Sequence, residues 1–268
     1  MQLKHDVRRI VIDEASQMTE AALVGTIGTF YPPIQIVLIG DSKQLSPFKY
    51  IKDDIISEMG ARSALGVLQL KNNVPVIRLR ETFRQSEPLM RPYSDVFYDG
   101  KLKSGKTTNS RLLLSPIFNV SKDCMFVNVE GSKSTQSGTS KINHGEMAAL
   151  KFVVSKLKHA GYDHTSIMVI AYYEAQRRLA ATRLPNDYEV LTVDSSQGRE
   201  KDIIIVLTTR DMPTDEIFFT CDKRCNVSVS RHKEALIVLG KEGALLKTEP
   251  WNRLIKEEYF CTYTYTPA

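Results

Sequence analysis

Short apolar runs without polar alternation, each closed by acidic or glycine residues, constrain this chain more than any other feature. Arg8-Arg9-Ile10-Val11-Ile12 leads straight into Asp13-Glu14-Ala15-Ser16. Gln35-Ile36-Val37-Leu38-Ile39 ends in Gly40-Asp41. Strands that lack alternation are those covered on both faces, as in parallel sheets. Between the two runs, Thr19 to Thr29 reads as a helix ended by Pro32-Pro33, which makes an α/β pattern. Further strands are expected at Val74 to Leu79, Cys124 to Val129, Ile167 to Ala171, Val190 to Val193, Ile203 to Leu207 and Ala235 to Leu239.

Helices fall between these later strands. Glu146 to His159 places Met147, Leu150, Val153, Val154 and Leu157 on one stripe. Glu174 to Arg183 is a second helix, stopped by Pro185. The alternation predicts a second, doubly wound domain. Gly131 to Gly145, rich in Ser, Thr, Gly and Lys, reads as a flexible surface loop. The expected organisation is a first lobe over 1–75, a second over 76–250 and a tail over 251–268 with no functional reading.

At 268 residues, with 42% hydrophobic and 25% charged residues, the composition is that of a globular protein and argues against disorder. A net charge of +5 is compatible with a polyanion partner without requiring one. The four cysteines form no Cys-x-x-Cys pair; Cys221, Cys225 and His232 fall short of a zinc set, so reduced thiols are expected. The first residues carry no apolar signal core, and no run is long enough to span a bilayer. A cytoplasmic or nuclear location is expected, with no membrane partner.

Five segments carry chemistry. Asp13 can hold Mg²⁺ or one of its waters, and Glu14 can orient and deprotonate an attacking water; an N-cap pair after a buried strand is the plainer reading. Gln44, in Gly40-Asp41-Ser42-Lys43-Gln44, offers a neutral amide just past a strand end, where ligands of parallel sheets bind. Phe83-Arg84 pairs an aromatic ring with a guanidinium, which suits a purine beside a phosphate chain, although a core Phe with a surface Arg is the commoner case. Val193-Asp194-Ser195-Ser196-Gln197-Gly198-Arg199-Glu200-Lys201-Asp202 is a polar loop between two apolar strands, hard to explain by packing alone. Arg231, in Ser230-Arg231-His232-Lys233, can reach a developing phosphoryl charge or can belong to a solvated basic turn.

In this order and these strand contexts the five segments resemble superfamily 1 helicases, in the branch containing the nonsense-mediated-decay RNA helicase. The resemblance runs from about Arg8 to Gly240, and Val193 to Asp202 is its most diagnostic string. It implies two RecA-like parallel-sheet lobes bridged by ATP, the first truncated at its N-terminus. It also implies ATP and Mg²⁺ as cofactors. The roles implied are Asp13 on the metal, Glu14 on the water, Gln44 as phosphate sensor, Phe83 on adenine and Arg84 on the terminal phosphate. Gly198 and Glu200 would face the nucleotide, Arg231 would be the arginine finger, and Tyr173, Gln176 and Ser195 would lie along the nucleic-acid strand. The chain departs from the pattern at Ala171-Tyr172, where Thr-Pro is usual, at Gln85-Ser86-Glu87, where Met-His is usual, and at Lys233, which replaces an arginine.

Gly100-Lys101-Leu102-Lys103-Ser104-Gly105-Lys106-Thr107 satisfies the phosphate-binding P-loop pattern letter for letter. A working P-loop follows a buried strand and opens a helix. Here Tyr93 to Tyr98 reads as a helix end, and Arg111 to Leu114 followed by Pro116 leaves little room for a helix. A connecting loop is expected.

The function expected from the resemblance is that of an ATP-dependent RNA or DNA helicase or translocase lacking a P-loop half. The alternative is a catalytically inactive, helicase-derived nucleic-acid-binding or interaction protein. A third expectation is that the chain is an incomplete record of a longer protein. Expected partners are single-stranded RNA or DNA, a missing N-terminal half, and helicase cofactor proteins. An incomplete first lobe should leave apolar strand faces open.

Overall fold

The computed structural model describes residues 7–30, 35–48, 55, 60–107 and 112–267. The chain divides into two units, Met1–Leu79 and Arg80–Ala268.

In the first unit, β1 (Arg9–Ile12) and β2 (Gln35–Leu38) pair in parallel, with Arg9 opposite Gln35 and Ile12 opposite Leu38. The ladder continues past both strands: Ile39 N–H donates to the Ile12 carbonyl, and Ala15 N–H donates to the Ile39 carbonyl, both at 2.8 Å. The helix Glu20–Thr29 connects them, and its first turn is capped by the Thr19 hydroxyl, which accepts from Ala22 N–H at 3.1 Å. The Pro32-Pro33 stop lies outside the described residues. A short helix, Ala64–Leu68, is tied back by Ser63, whose hydroxyl donates to the Ser16 carbonyl at 2.8 Å. Among the described residues of this unit, the buried apolar positions are Ala15, Leu23 and Ala64. Val11 is 63% exposed, and Ile36, Val37 and Ile39 are also open. Parallel pairing follows the expectation, but the strands are not covered on both faces.

The second unit holds a six-stranded sheet, all parallel, in the order β12-β5-β11-β10-β8-β9. Its strands are β5 (Cys124–Val129), β8 (Ile167–Ala171), β9 (Glu189–Thr192), β10 (Lys201–Leu207), β11 (His232–Gly240) and β12 (Cys261–Tyr265). Ile203 to Leu207 lie opposite Ile167 to Ala171 on one side and Ala235 to Leu239 on the other. Both faces of these central strands are buried. The helix His144–His159 lays Leu150, Val153 and Leu157 onto this core. A short parallel pair, β3 (Glu81–Thr82) with β4 (Lys103–Ser104), stands apart from the sheet.

Three segments differ from their expected form. Val74 to Leu79 forms no strand; Pro75 lacks a ladder donor, and Val76, Ile77 and Leu79 are exposed. Gly131 to Gly145 is not a loop but an antiparallel hairpin, β6 (Ser134–Ser137) with β7 (Ser140–Asn143), followed by the start of the next helix. Its two-residue connection begins with Gly138 at φ +61, a conformation glycine enters without a Cβ clash. The strands are almost wholly polar, so periodicity could not reveal them. The residues after Trp251 contribute β12, whose Tyr263 and Tyr265 rings pack on Phe152.

Gly145 sits where a Cβ would lie 2.6 Å from Ser132 Cβ and 3.0 Å from Ser132 Cα. Helix propensity alone favours Ala over Gly by up to about 1 kcal/mol, but overpacking costs about 1–3 kcal/mol. Because backbone must move, the overlap decides the sign. Gly145→Ala is expected to lower the melting temperature by roughly 2–8 °C; an unchanged or raised value in a thermal melt would refute this packing argument.

Candidate functional site

Parallel pairing brings the two loops of the first unit to one sheet edge. Asp13-Glu14 follow β1 and Gly40-Asp41 follow β2. Gly40 is required by close approach, since a Cβ there would lie 2.9 Å from Ser16 N and 3.1 Å from Ala15 N. Glu14 has φ +51, a left-handed conformation unfavourable for a residue with a Cβ, and its N–H donates to Asp13 Oδ1 at 2.9 Å. Both carboxylates are exposed. Gln44 is partly buried, and its Nε2 donates to Asp41 Oδ2 at 3.1 Å. Asp41 also receives Lys43 N–H, so the loop is an Asp-organised turn that presents the amide.

In the second unit, segments far apart in sequence converge at the N-terminal ends of β10 and β11. Arg84 Nε donates to Glu200 Oε2 at 2.6 Å, and its Nη1 donates to the Ser230 carbonyl at 3.0 Å. Gln85 Nε2 donates to the same carbonyl at 3.1 Å. Lys233 Nζ lies 3.1 Å from Glu200 Oε1. Burial works to raise the Glu200 pKa, but the Arg84 and Lys233 hydrogen bonds outweigh it and hold the carboxyl below its ordinary value. Arg231 immediately precedes β11, is 2% exposed and donates from Nη2 to Ser230 Oγ at 3.0 Å. Two cations, Arg84 and Lys233, on one carboxylate leave a positive excess suited to an anionic ligand. Phe83, next to Arg84, is 71% exposed and lies against Gly105, where a Cβ would fall 2.3 Å from its ring. Gly198 stands two residues before Glu200 with φ +78.

Sequence reasoning singled out Arg84, Glu200 and Arg231 and missed what orders them. Gln85 is fully buried; it also accepts from the Tyr93 hydroxyl at 2.8 Å, while its carbonyl accepts from Ser104 Oγ at 2.7 Å. Gln85 was visible as a departure from the helicase pattern. His232 is fully buried, which drives its pKa down to about 3 and keeps the ring neutral at physiological pH.

The P-loop-like string takes no cradle form. Lys103 and Ser104 are β4, and the ladder with β3 continues through Gly105 N–H to the Thr82 carbonyl at 2.9 Å. Lys106 Nζ pairs with Glu234 Oε1 at 2.5 Å. Residue 111, where the expected following run begins, lies outside the described residues.

Tyr173, Gln176 and Ser195 gather toward the opposite edge, past the C-terminal ends of β8 and β9. Ser195 is exposed and exchanges hydrogen bonds with Thr192. Its neighbour Asp194 receives two bonds from Arg224, at 2.8 and 3.0 Å, and that guanidinium lies 4.2 Å from the centre of the Phe218 ring. Tyr173 is buried beneath Arg210, whose guanidinium is 5.8 Å from its ring centre. Gln176, expected along a nucleic-acid strand, is fully buried; its Oε1 accepts from Asn143 N–H at 2.8 Å, and its Nε2 donates to the Asn143 carbonyl and to Glu146 Oε2. It therefore shapes the loop from within. Burial pushes the Glu146 pKa up to about 8 against the hydrogen bonds from Thr209, Thr208 and Gln176.

Parallel strands with polar and charged groups gathered at their ends define an α/β protein. A family model described as an AAA domain matches residues 61–243, more than half of the chain. The chain belongs to that family, as a region of the superfamily 1, nonsense-mediated-decay helicase type. It is 33% identical over 263 residues to Regulator of nonsense transcripts 1 of Caenorhabditis elegans, covering 92% of this chain and 24% of that protein. It is 29% identical to the ATP-dependent helicase NAM7 of Saccharomyces cerevisiae, covering 92% of this chain and 27% of the relative. The chain thus spans about a quarter of these relatives. Among solved structures, the crystal structure of Arterivirus nonstructural protein 10 (helicase) is similar at a TM-score of 0.49 and 14% identity, covering 92% of this chain and 41% of that one. No helix among the described residues is long and apolar enough to cross a membrane.

Two outcomes follow from this geometry. Lys106→Ala is expected to leave nucleotide affinity unchanged and to cost less than about 1 kcal/mol, as a half-exposed ion pair does; a tenfold loss of affinity in a binding titration would restore the P-loop reading. His232 lowers stability in acid. Its pKa is about 3 when folded and about 6.5 when unfolded, so below pH 6.5 the unfolded chain takes up a proton that the folded chain refuses. Its stabilising contribution is complete above pH 6.5 and drains as pH falls toward 3. His232→Asn should flatten the stability profile across that window, and superimposable wild-type and variant slopes would count against it.

Proposed function

We propose that this chain carries part of the ATP-hydrolysing machinery of a helicase or translocase acting on single-stranded RNA or DNA. The observation that carries the reading is the convergence of Arg84, Glu200, Ser230 and Lys233 beside an exposed aromatic, Phe83. An electropositive cluster next to an open ring suits a nucleoside triphosphate, which offers phosphates and a base to stack.

The donor set of the first unit fits Mg²⁺. Asp13 and Glu14 are hard, exposed oxygen donors at one strand tip, and no cluster of three or more acidic, His or Cys residues builds a closed cage among the described residues. Mg²⁺ favours such sites, bound through one or two carboxylates with its remaining positions on water and phosphate. When bound, the ion neutralises phosphate charge. Asp13 is assigned to hold it, Glu14 to take the proton of the attacking water, and Gln44 to sense the terminal phosphate. Phe83 is assigned to the base, Arg84 and Glu200 to the phosphates and sugar with Gly198 in the same loop, and Arg231 to the charge that develops on hydrolysis. Tyr173 and Ser195 are assigned to the strand, and Gln176 to the support of that loop. One relative is named a regulator of nonsense transcripts and another, of Mus musculus, a 5'-3' DNA helicase, so both RNA and DNA enter the test.

The experiment is Mg²⁺–ATP binding and turnover by the chain, with and without single-stranded RNA or DNA. Glu14→Gln is expected to lower turnover about 10²-fold or more while nucleotide affinity holds, as removal of a general base does. Arg84→Ala is expected to weaken nucleotide binding. Strand binding without nucleotide binding or turnover would sink the enzymatic reading and leave a non-catalytic strand-binding protein.

A further inference from the structure

Thr209 occupies a backbone conformation that a β-branched residue avoids, with φ +70. Such strain persists only if neighbours over-determine it. Two side chains do so. Glu146 Oε1 accepts from Thr209 N–H at 2.6 Å, and Asn143 Nδ2 donates to the Thr209 carbonyl at 3.2 Å. Both backbone polar groups of one strained residue are thus gripped from a single helix start. Asn143 caps that start, since its Oδ1 accepts from Glu146 N–H at 3.1 Å. Gln176 closes the arrangement by bonding Asn143 and Glu146 together.

The residue after the strained one is Arg210. Its guanidinium lies 5.8 Å from the ring centres of Tyr173 and Phe219, and its Nη2 reaches Thr214 Oγ1 and Glu216. A left-handed residue turns the chain sharply, so the conformation of Thr209 sets where Arg210 leaves β10. We propose that Glu146 is a positioning residue: with Asn143 it clamps Thr209 in the left-handed conformation and so holds Arg210 over Tyr173, in register with the strand-contact loop. The effect on strand binding rests on the function proposed above; the clamp itself does not.

Glycine separates a clamp from simple packing, because it adopts φ near +70 without a Cβ penalty. The Thr209 Oγ has no hydrogen-bond partner among the described residues, so its removal forfeits no bond. The lone tryptophan, Trp251, is buried against Phe219 at a ring-centre distance of 5.9 Å and reports on this cluster without any ligand. In the full chain, Glu146→Ala is expected to shift Trp251 emission and to weaken binding of a labelled single-stranded oligouridine about tenfold. Glu146→Gln retains an oxygen for Thr209 N–H and is expected to stay within about threefold of wild type. Thr209→Gly added to Glu146→Ala is expected to restore both readouts. Thr209→Gly should melt above Thr209→Ala, which loses the same outer atoms of this buried side chain but keeps the Cβ penalty.

An unshifted Trp251 in folded Glu146→Ala, or no recovery in the double variant, overturns the clamp. So does a Thr209→Gly that melts no higher than Thr209→Ala, a measurement that stands even if Glu146→Ala does not fold. A wild-type chain that binds no strand refutes the strand-contact reading instead, while emission and melting still decide the clamp.

Discussion

Parallel strand pairing is the constraint on which the second unit depends. Parallel neighbours cannot be joined by a tight turn, so each connection must cross a sheet face and return to the starting edge. Every strand therefore begins at one edge and ends at the other, and the candidate residues are sorted accordingly. Glu200 and Arg231 stand just before β10 and β11, whereas Tyr173, Ser195 and Thr209 stand just after β8, β9 and β10. The β-rich ladder is buried on both faces, which makes these edges fixed frames rather than mobile loops.

Two connections join the edges, the first with candidate residues at each end and the second with a candidate at its far end. One runs from Asp194 and Ser195 to Glu200; the other is the helix Asp222–Val229, leading to Ser230 and Arg231. The Arg224–Asp194 pair links their beginnings, and Arg84 links their ends by holding both Glu200 and the Ser230 carbonyl. Residues proposed for the nucleotide and residues proposed for the strand thus lie on linked connections.

Much of this was legible in order along the chain. Central strands such as Ile167 to Ala171 betray themselves because burial on both faces demands unbroken apolar runs, and the Glu146 stripe because one helix face must meet them. The hairpin Ser134 to Asn143 carries no such signal, since its stability comes from pairing and a Gly138 turn rather than from apolar burial. Val74 to Leu79 shows the converse error: apolar content without a partner strand made no strand. The P-loop-like string shows that spelling alone does not make a cradle, because Lys103 and Ser104 are committed to β3.

By itself the sequence determined the α/β class, the approximate strands of the main sheet, and the identity of Asp13, Glu14, Gln44, Phe83, Arg84, Glu200 and Arg231 as candidates. These are local facts, carried by hydrophobic period and by residue type at strand ends. Only the tertiary structure decided that Arg84 meets Glu200 across 116 positions, that Gln176 faces inward, and that Glu146 grips Thr209. The reason is physical. Backbone pattern is set by near neighbours in sequence, whereas hydrogen-bond partners of buried polar groups are chosen by packing between distant segments, where leaving any one unpaired costs about 1–3 kcal/mol.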